Sequence, residues 1–191
     1  MSEAMKMKTP ESNKGYRYHD YEHWEGRWEL IHGVPYNMSP APTTQHQHIV
    51  GEIHFALRSF LGKDKCQVFV APFDIRLSES DDYDNPDTVI QPDISVICHP
   101  NQLDKKGGKG APDLVVEVLS PSTALKDRNQ KFNLYEQHGV KEYWIIDPIH
   151  QTIEVYGQVD NHLDKIDVFG CNDTLRSFHF KEFTLDLSTI L

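Results

Sequence analysis

From Thr43 to Leu61 apolar residues return every three or four positions. Ile49, Ile53, Ala56, Leu57 and Phe60 share one face, which predicts an amphipathic helix capped by Thr43 or Thr44 and ended by Gly62. A second helix is expected over about 124–138, with Leu125, Phe132 and Tyr135 inward and Gly139 closing it. The remaining apolar runs are short and bounded by turn residues, the signature of strands. Residues 27–32 and 34–38 read as a hairpin turning at His32-Gly33, and Ser39-Pro40-Ala41-Pro42 stops it because proline lacks a ladder donor. Segments 66–71 and 73–77, parted by Pro72, are strands, as are 89–98, 113–119, 141–147 and 151–156. Three weaker strands fill 164–187, and 18–24 suits a short helix. Ser120-Pro121-Ser122-Thr123 turns the chain into the second helix. The pattern predicts a flexible N-terminal tail over 1–17 and one α+β (α/β-like) domain over 18–191, a mixed central sheet flanked by helices.

Against that pattern, two strands carry acids where apolar residues are expected. Asp93 follows Gln91-Pro92 and precedes Ile94-Ser95-Val96-Ile97; Glu117 lies within Leu114-Val115-Val116-Glu117-Val118-Leu119. A carboxylate flanked by Val, Ile and Leu is costly to bury without a metal, a proton, a cation or exposure at a strand end. Alternation puts Asp113, Val115, Glu117 and Leu119 on one face of their strand. If the two strands are antiparallel neighbours, Asp93 and Glu117 reach one sheet edge, where they could share a magnesium ion completed by water and a substrate phosphate. Asp127, Lys131 and Tyr135, four apart on the second helix, offer a lysine to the same place. The plainer reading of Lys131 is a surface ion pair with Asp127, worth well under about 1 kcal/mol.

Glu29, inside Trp28-Glu29-Leu30-Ile31, suits a metal ligand, a hydrogen-bond partner or a solvent-facing strand position. His46 and His48 are two apart on the first helix and do not form a zinc pair. The sequence holds no nucleophile elbow, phosphate-binding glycine loop or dinucleotide fingerprint.

Composition bounds the setting. Apolar residues make up 38% and charged residues 25%, as in folded domains, and there is neither an 18-residue apolar run nor an apolar signal segment near the start. Cys66, Cys98 and Cys171 are few and widely separated, forming neither a zinc pattern nor a disulfide framework, so a cytoplasmic location is expected. The net charge of −10 counts against broad electrostatic attraction to nucleic acid but allows a local basic surface. Lys105, Lys106 and Lys109 lie in a glycine-rich stretch that suits a solvated loop or a mobile phosphate-contacting one. The acidic tract 79–87 reads as a flexible connection that could lend a metal ligand.

Taken in order, several segments resemble the Uma-two family of endonucleases in the restriction-endonuclease-like, PD-(D/E)XK superfamily. They are Trp28-Glu29-Leu30-Ile31-His32-Gly33, Met38-Ser39-Pro40 with His46, Gln91-Pro92-Asp93-Ile94, the run Pro112 to Ser122, Asp127 with Lys131 and Tyr135, and Gly139 to Pro148. The superfamily pattern places acid-x-lysine on the second strand, but here Leu119 stands at the lysine position. The resemblance implies Asp93 and Glu117 as metal ligands, Lys131 as the catalytic lysine supplied from the helix, and Glu29 as an accessory acid. It further implies Mg2+, with Mn2+ as substitute, and DNA as substrate. Cleavage of both strands favours a homodimer. Two other readings remain: a catalytically silent nucleic-acid-binding module on the nuclease fold, and an acidic protein-interaction domain.

Overall fold

The computed structural model describes residues 9–10, 15–38, 41–62, 65–121 and 123–191. Most of the expected tail, the Ser39-Pro40 stop and Ser122 of the turn lie outside the described residues. The chain opens with a short helix α1 (Tyr18–Tyr21) and a hairpin of β1 (Trp28–Ile31) and β2 (Val34–Asn37). His32 and Gly33, with φ of 49° and 76°, make the tight turn that a two-residue hairpin requires. Tyr16, which the sequence pattern leaves in the tail, is buried, and its N–H donates to the Gly33 carbonyl at 3.0 Å.

Helix α2 (Thr44–Leu61) forms where the periodicity places it, with the Thr43 hydroxyl accepting from the His46 N–H. It buries Ile49, Ile53 and Leu57; Phe60, expected on that face, is 42% exposed. There follow β3 (Gln67–Val70), β4 (Ile75–Leu77), β5 (Thr88–Ile90), β6 (Ile94–Ile97), β7 (Leu103–Asp104), β8 (Gly107–Lys109) and β9 (Leu114–Val118). A helical segment over Lys126–Lys131 runs directly into α3 (Phe132–His138), which Gly139 ends in a left-handed conformation. The chain closes with β10 (Glu142–Asp147), β11 (Thr152–Val159), β12 (His162–Gly170), β13 (Thr174–Arg176) and β14 (Thr184–Asp186).

Among the described residues these strands form two six-stranded sheets and a two-stranded ribbon, rather than one central sheet. The orders are β2-β1-β5-β4-β8-β7, β12-β11-β10-β9-β6-β3 and β13-β14. The second sheet is the layer between helices. Val116, Val118, Trp144 and Ile146 on one face pack with Ile49, Ile53 and Leu57 of α2. Val115, Tyr143 and Ile145 on the other pack with Leu134 and Tyr135 of α3. Leu125, expected to point inward, is instead 79% exposed.

Two differences from the sequence reading bear on the site. The expected strand 89–98 is broken at Gln91–Asp93, and its halves, β5 and β6, enter different sheets. Pro92 has no N–H for a ladder, and the Gln91 N–H is taken by the Glu29 side chain at 3.0 Å. The break puts Asp93 where the two sheets meet. The second difference is a disulfide between Cys66 and Cys98, with S–S 2.06 Å. These cysteines flank the paired β3 and β6, next to the Gln67–Ile97 pair, a proximity that a separation of 32 residues hides in the sequence. Cysteine usage therefore no longer argues for a reducing cytoplasm. No described helix is long and apolar enough to cross a membrane.

Candidate active site

Asp93 and Glu117 meet through strand register. β6 and β9 are antiparallel neighbours with Ser95 opposite Val115 and Ile94 opposite Val116, so the next step of the ladder sets Asp93 opposite Glu117 on the same face. Both border a cavity of about 1000 Å³, together with His46, Lys126, Asp127 and Lys131. Asp93 is fixed through Oδ2, which accepts from the Val118 N–H at 2.8 Å and contacts His46 Nε2 at 3.1 Å. Glu117 is fixed through Oε1, which accepts from Lys131 Nζ at 2.7 Å and the Tyr135 hydroxyl at 2.6 Å. Among the described residues no hydrogen bond falls on Asp93 Oδ1 or Glu117 Oε2. Each carboxylate keeps one oxygen uncommitted.

Lys131 is no surface residue. It is 1% exposed, and its ammonium lies 2.9 Å from Glu29 and 3.7 Å from Asp127 besides its bond to Glu117. Leu119, at the superfamily's lysine position, is buried among apolar side chains, while Lys131 reaches Glu117 from the helix. Glu29 is fully buried and acts as a hydrogen-bond partner. Its Oε1 takes the Gln91 N–H and Lys131, and its Oε2 takes Lys126 at 2.8 Å. With both oxygens engaged, it has none to spare for a cation.

Lys126 is the member the sequence pattern missed. An α-helix sets residues five apart about 140° from one another, so Lys126 and Lys131 should diverge. Residues 126–131 instead form a π-helical turn, which stacks position i+5 over i and brings both ammonium groups onto Glu29. His46 enters the sequence reading as part of the family resemblance, without a role, and its position in the first turn of α2, behind the Thr43 cap, hints at a defined orientation.

Burial sets the protonation states. Burial and the Asp127, Asp93 and Glu29 charges overcome Lys131 and push the Glu117 carboxyl up to about 8. Burial likewise raises Asp127, whose Oδ1 has no hydrogen-bond partner despite being buried. Burial alone would raise Glu29, but Lys131 and Lys126 hold it below the usual range. Burial opposes the charge on Lys131, yet Glu117, Glu29 and Asp127 keep it firmly protonated. The cluster holds three buried acids against two lysines, with Asp93 beside it. It carries surplus negative charge that a proton or a cation must balance.

That deficit and the two open oxygens fit a hard divalent cation. Among the described residues no group of three or more His, Cys, Asp or Glu side chains could hold a metal. The protein donors would therefore be two carboxylates, with water and phosphate supplying the rest, as magnesium commonly accepts. The other sequence candidates are elsewhere. Residues 103–109 form the β7–β8 hairpin, in which Lys106 contacts Glu22 and the Tyr18 ring, and the acidic tract does not border this cavity.

The fold recurs in a solved structure. A crystal structure described as "a putative nuclease belonging to DUF820" from Anabaena variabilis superposes with a TM-score of 0.68 over 87% of this chain and 90% of that one, at 23% identity, a likeness of fold. Two uncharacterized proteins of Synechocystis are related in sequence. For slr1290 the identity is 28% over 147 residues, 74% of each chain, and for sll1609 it is 27% over 118 residues, 61% of this chain and 64% of the relative. Residues 17–188, which contain every strand and helix named above, match the family Uma2, described as "Putative restriction endonuclease", and the chain belongs to that family.

Proposed function

We propose that the protein is a metal-dependent endonuclease that hydrolyses phosphodiester bonds of DNA. The observation that carries this reading is the pairing of Asp93 and Glu117 across β6 and β9, each with one oxygen committed and one without a hydrogen bond, on residues that border the same cavity. Those open oxygens would hold Mg2+, or Mn2+ in its place. When bound, the ion polarises a phosphoryl oxygen and lowers the pKa of a coordinated water.

The chain's own residues do the positioning. The Val118 N–H and His46 hold Asp93, and Tyr135 and Lys131 hold Glu117, so the two carboxylates are fixed before any ligand arrives. Lys131, in the catalytic lysine's place, adds positive charge beneath the phosphate, and Glu29 keeps it oriented. Hydrolysis exchanges one P–O ester bond for a bond to the water oxygen, and the departing alkoxide takes a proton. Cutting both strands calls for two such sites, as in a symmetric dimer.

The test is cleavage of supercoiled plasmid by the purified chain with Mg2+, Mn2+ or EDTA, beside Glu117→Gln. Nicked or linear product that needs the metal and is lost in the variant supports the reading. Wild-type protein that leaves DNA intact with either metal refutes it.

A further inference from the structure

The two lysines on Glu29 are not equivalent. Lys131 has a side-chain exposure of 2%, and its ammonium is enclosed by carboxylates, Glu117 at 2.7 Å, Glu29 at 2.9 Å and Asp127 at 3.7 Å, so burial keeps it from direct contact with a substrate. Lys126 has a side-chain exposure of 14% and borders the cavity. Its ammonium donates to Glu29 Oε2 at 2.8 Å and to the Met38 thioether at 3.6 Å, and it lies 5.3 Å from the centre of the Tyr36 ring. A thioether is a weak acceptor and an aromatic face a diffuse one, so a phosphate oxygen would displace either with gain. Glu29, gripped from below by Lys131 and the Gln91 N–H, tethers the Lys126 ammonium at the cavity wall without saturating it.

We propose that Lys126 is the substrate-binding lysine of this site, delivered by the π-helical turn to donate directly to a DNA phosphate, while Lys131 serves as a buried positioning residue. The inference rests on the nuclease reading and adds to it a division of labour: one lysine holds the metal-binding carboxylate, and the other holds the nucleic acid. It also locates positive charge where a chain of net charge −10 must present some to an anionic polymer.

The experiment measures binding of a fluorescein-labelled DNA duplex by anisotropy across a salt series in EDTA, followed by steady-state plasmid cleavage in Mg2+. Wild type, Lys126→Gln, Lys126→Arg and Lys106→Gln are compared. Lys106 lies on the β7–β8 hairpin outside the cavity and serves as the control. For Lys126→Gln the expected result is about tenfold weaker binding, a log K against log salt slope shallower by about 0.9, and a raised KM with a smaller change in kcat. Lys126→Arg should restore most of the affinity, and Lys106→Gln should match wild type. If Lys126→Gln is too unstable to assay, the double variant Glu29→Gln/Lys126→Gln removes both charges together and should show the same change in slope. Cleavage-competent wild type with an unchanged slope and KM on loss of Lys126 overturns this inference and leaves the nuclease reading standing. Wild type that neither binds nor cuts DNA overturns both.

Discussion

Replacing Glu117 with glutamine in the metal-free protein should make it more stable at neutral pH. The side chain is 5% exposed and its carboxyl is raised from 4.5 to about 8, chiefly by burial, which together with the neighbouring acids overcomes the opposing charge of Lys131. A group whose folded pKa lies above its unfolded value contributes stability that is full below the unfolded pKa and is lost as pH rises through the folded one. The loss therefore runs from about pH 4.5 to about pH 8. At 1.36 kcal/mol per unit, wild type has given up about 3 kcal/mol by pH 7 and about 5 kcal/mol above pH 8.

Glutamine mimics the protonated acid. Its carbonyl can still accept from Lys131 and Tyr135 at the place of Oε1, and its amide occupies the open position of Oε2. The variant should match wild type near pH 4.5 and exceed it progressively at higher pH. For a chain of this length about 3 kcal/mol corresponds to a melting temperature raised by roughly 6–12 °C at pH 7. Thermal or urea unfolding of both proteins in EDTA between pH 4.5 and 8.5 measures the difference directly. If wild type is the more stable at pH 7 to 8, Glu117 is ionised, its bond to Lys131 outweighs burial, and the argument for a cation deficit fails.

Other consequences are as specific. Magnesium at a hundredfold excess over its Kd should stabilise wild type by about 2.7 kcal/mol and leave the double variant Asp93→Asn/Glu117→Gln unchanged; equal responses in thermal melts would remove the metal site from Asp93 and Glu117. Lys131→Met should cost about 3–5 kcal/mol in urea unfolding, because the buried acids Glu29, Glu117 and Asp127 lose their shared cation. A loss below 1 kcal/mol would return Lys131 to the surface ion pair its spacing also allowed. Denatured, unreduced protein should titrate one thiol, Cys171, and reductant should lower stability by about 3–4 kcal/mol for a loop of this length; three titratable thiols would contradict the disulfide.

Local pattern carried much of the fold. The periodicity of α2, the apolar runs of β9 and β10 and the His32-Gly33 turn are properties of contiguous residues and were legible as such. Apolar flanks around Asp93 and Glu117 likewise drew attention to the two carboxylates that face each other. What escaped depends on long-range or non-ideal geometry. The break at Gln91–Asp93 depends on Glu29 capturing an N–H from 62 residues away. The disulfide depends on the β3–β6 pairing, and Lys126 depends on a π turn where α spacing was assumed. Leu125 follows from the same change of helical pitch. Alpha-helical spacing predicts an inward place for it, and the observed turn leaves it in solvent.

Buried acids in apolar strands are, by themselves, a weak guide to function, and Glu142 shows why. It lies in β10 beside Tyr143, is fully buried, and by sequence looks as anomalous as Glu117. Yet its Oε1 accepts from the Trp144 indole and the Phe178 N–H, and its Oε2 accepts from the Ser177 hydroxyl and the His179 N–H, at 2.6–2.9 Å. Every strong acceptor position is answered by a donor of the chain, and the result is a clamp that ties residues 177–179 to the second sheet. Glu29 is answered just as fully, by two lysines and a backbone N–H. Glu117 differs in one respect: its donors converge on Oε1, while Oε2 remains uncommitted beside a cavity that Asp93 also borders with an uncommitted Oδ1. Burial costs desolvation in all three cases, and what separates a structural acid from a ligand is whether the fold itself completes the compensation. In Glu142 and Glu29 it does. In the Asp93–Glu117 pair it stops one oxygen short on each side, and that incompleteness is the physical content of the candidate metal site.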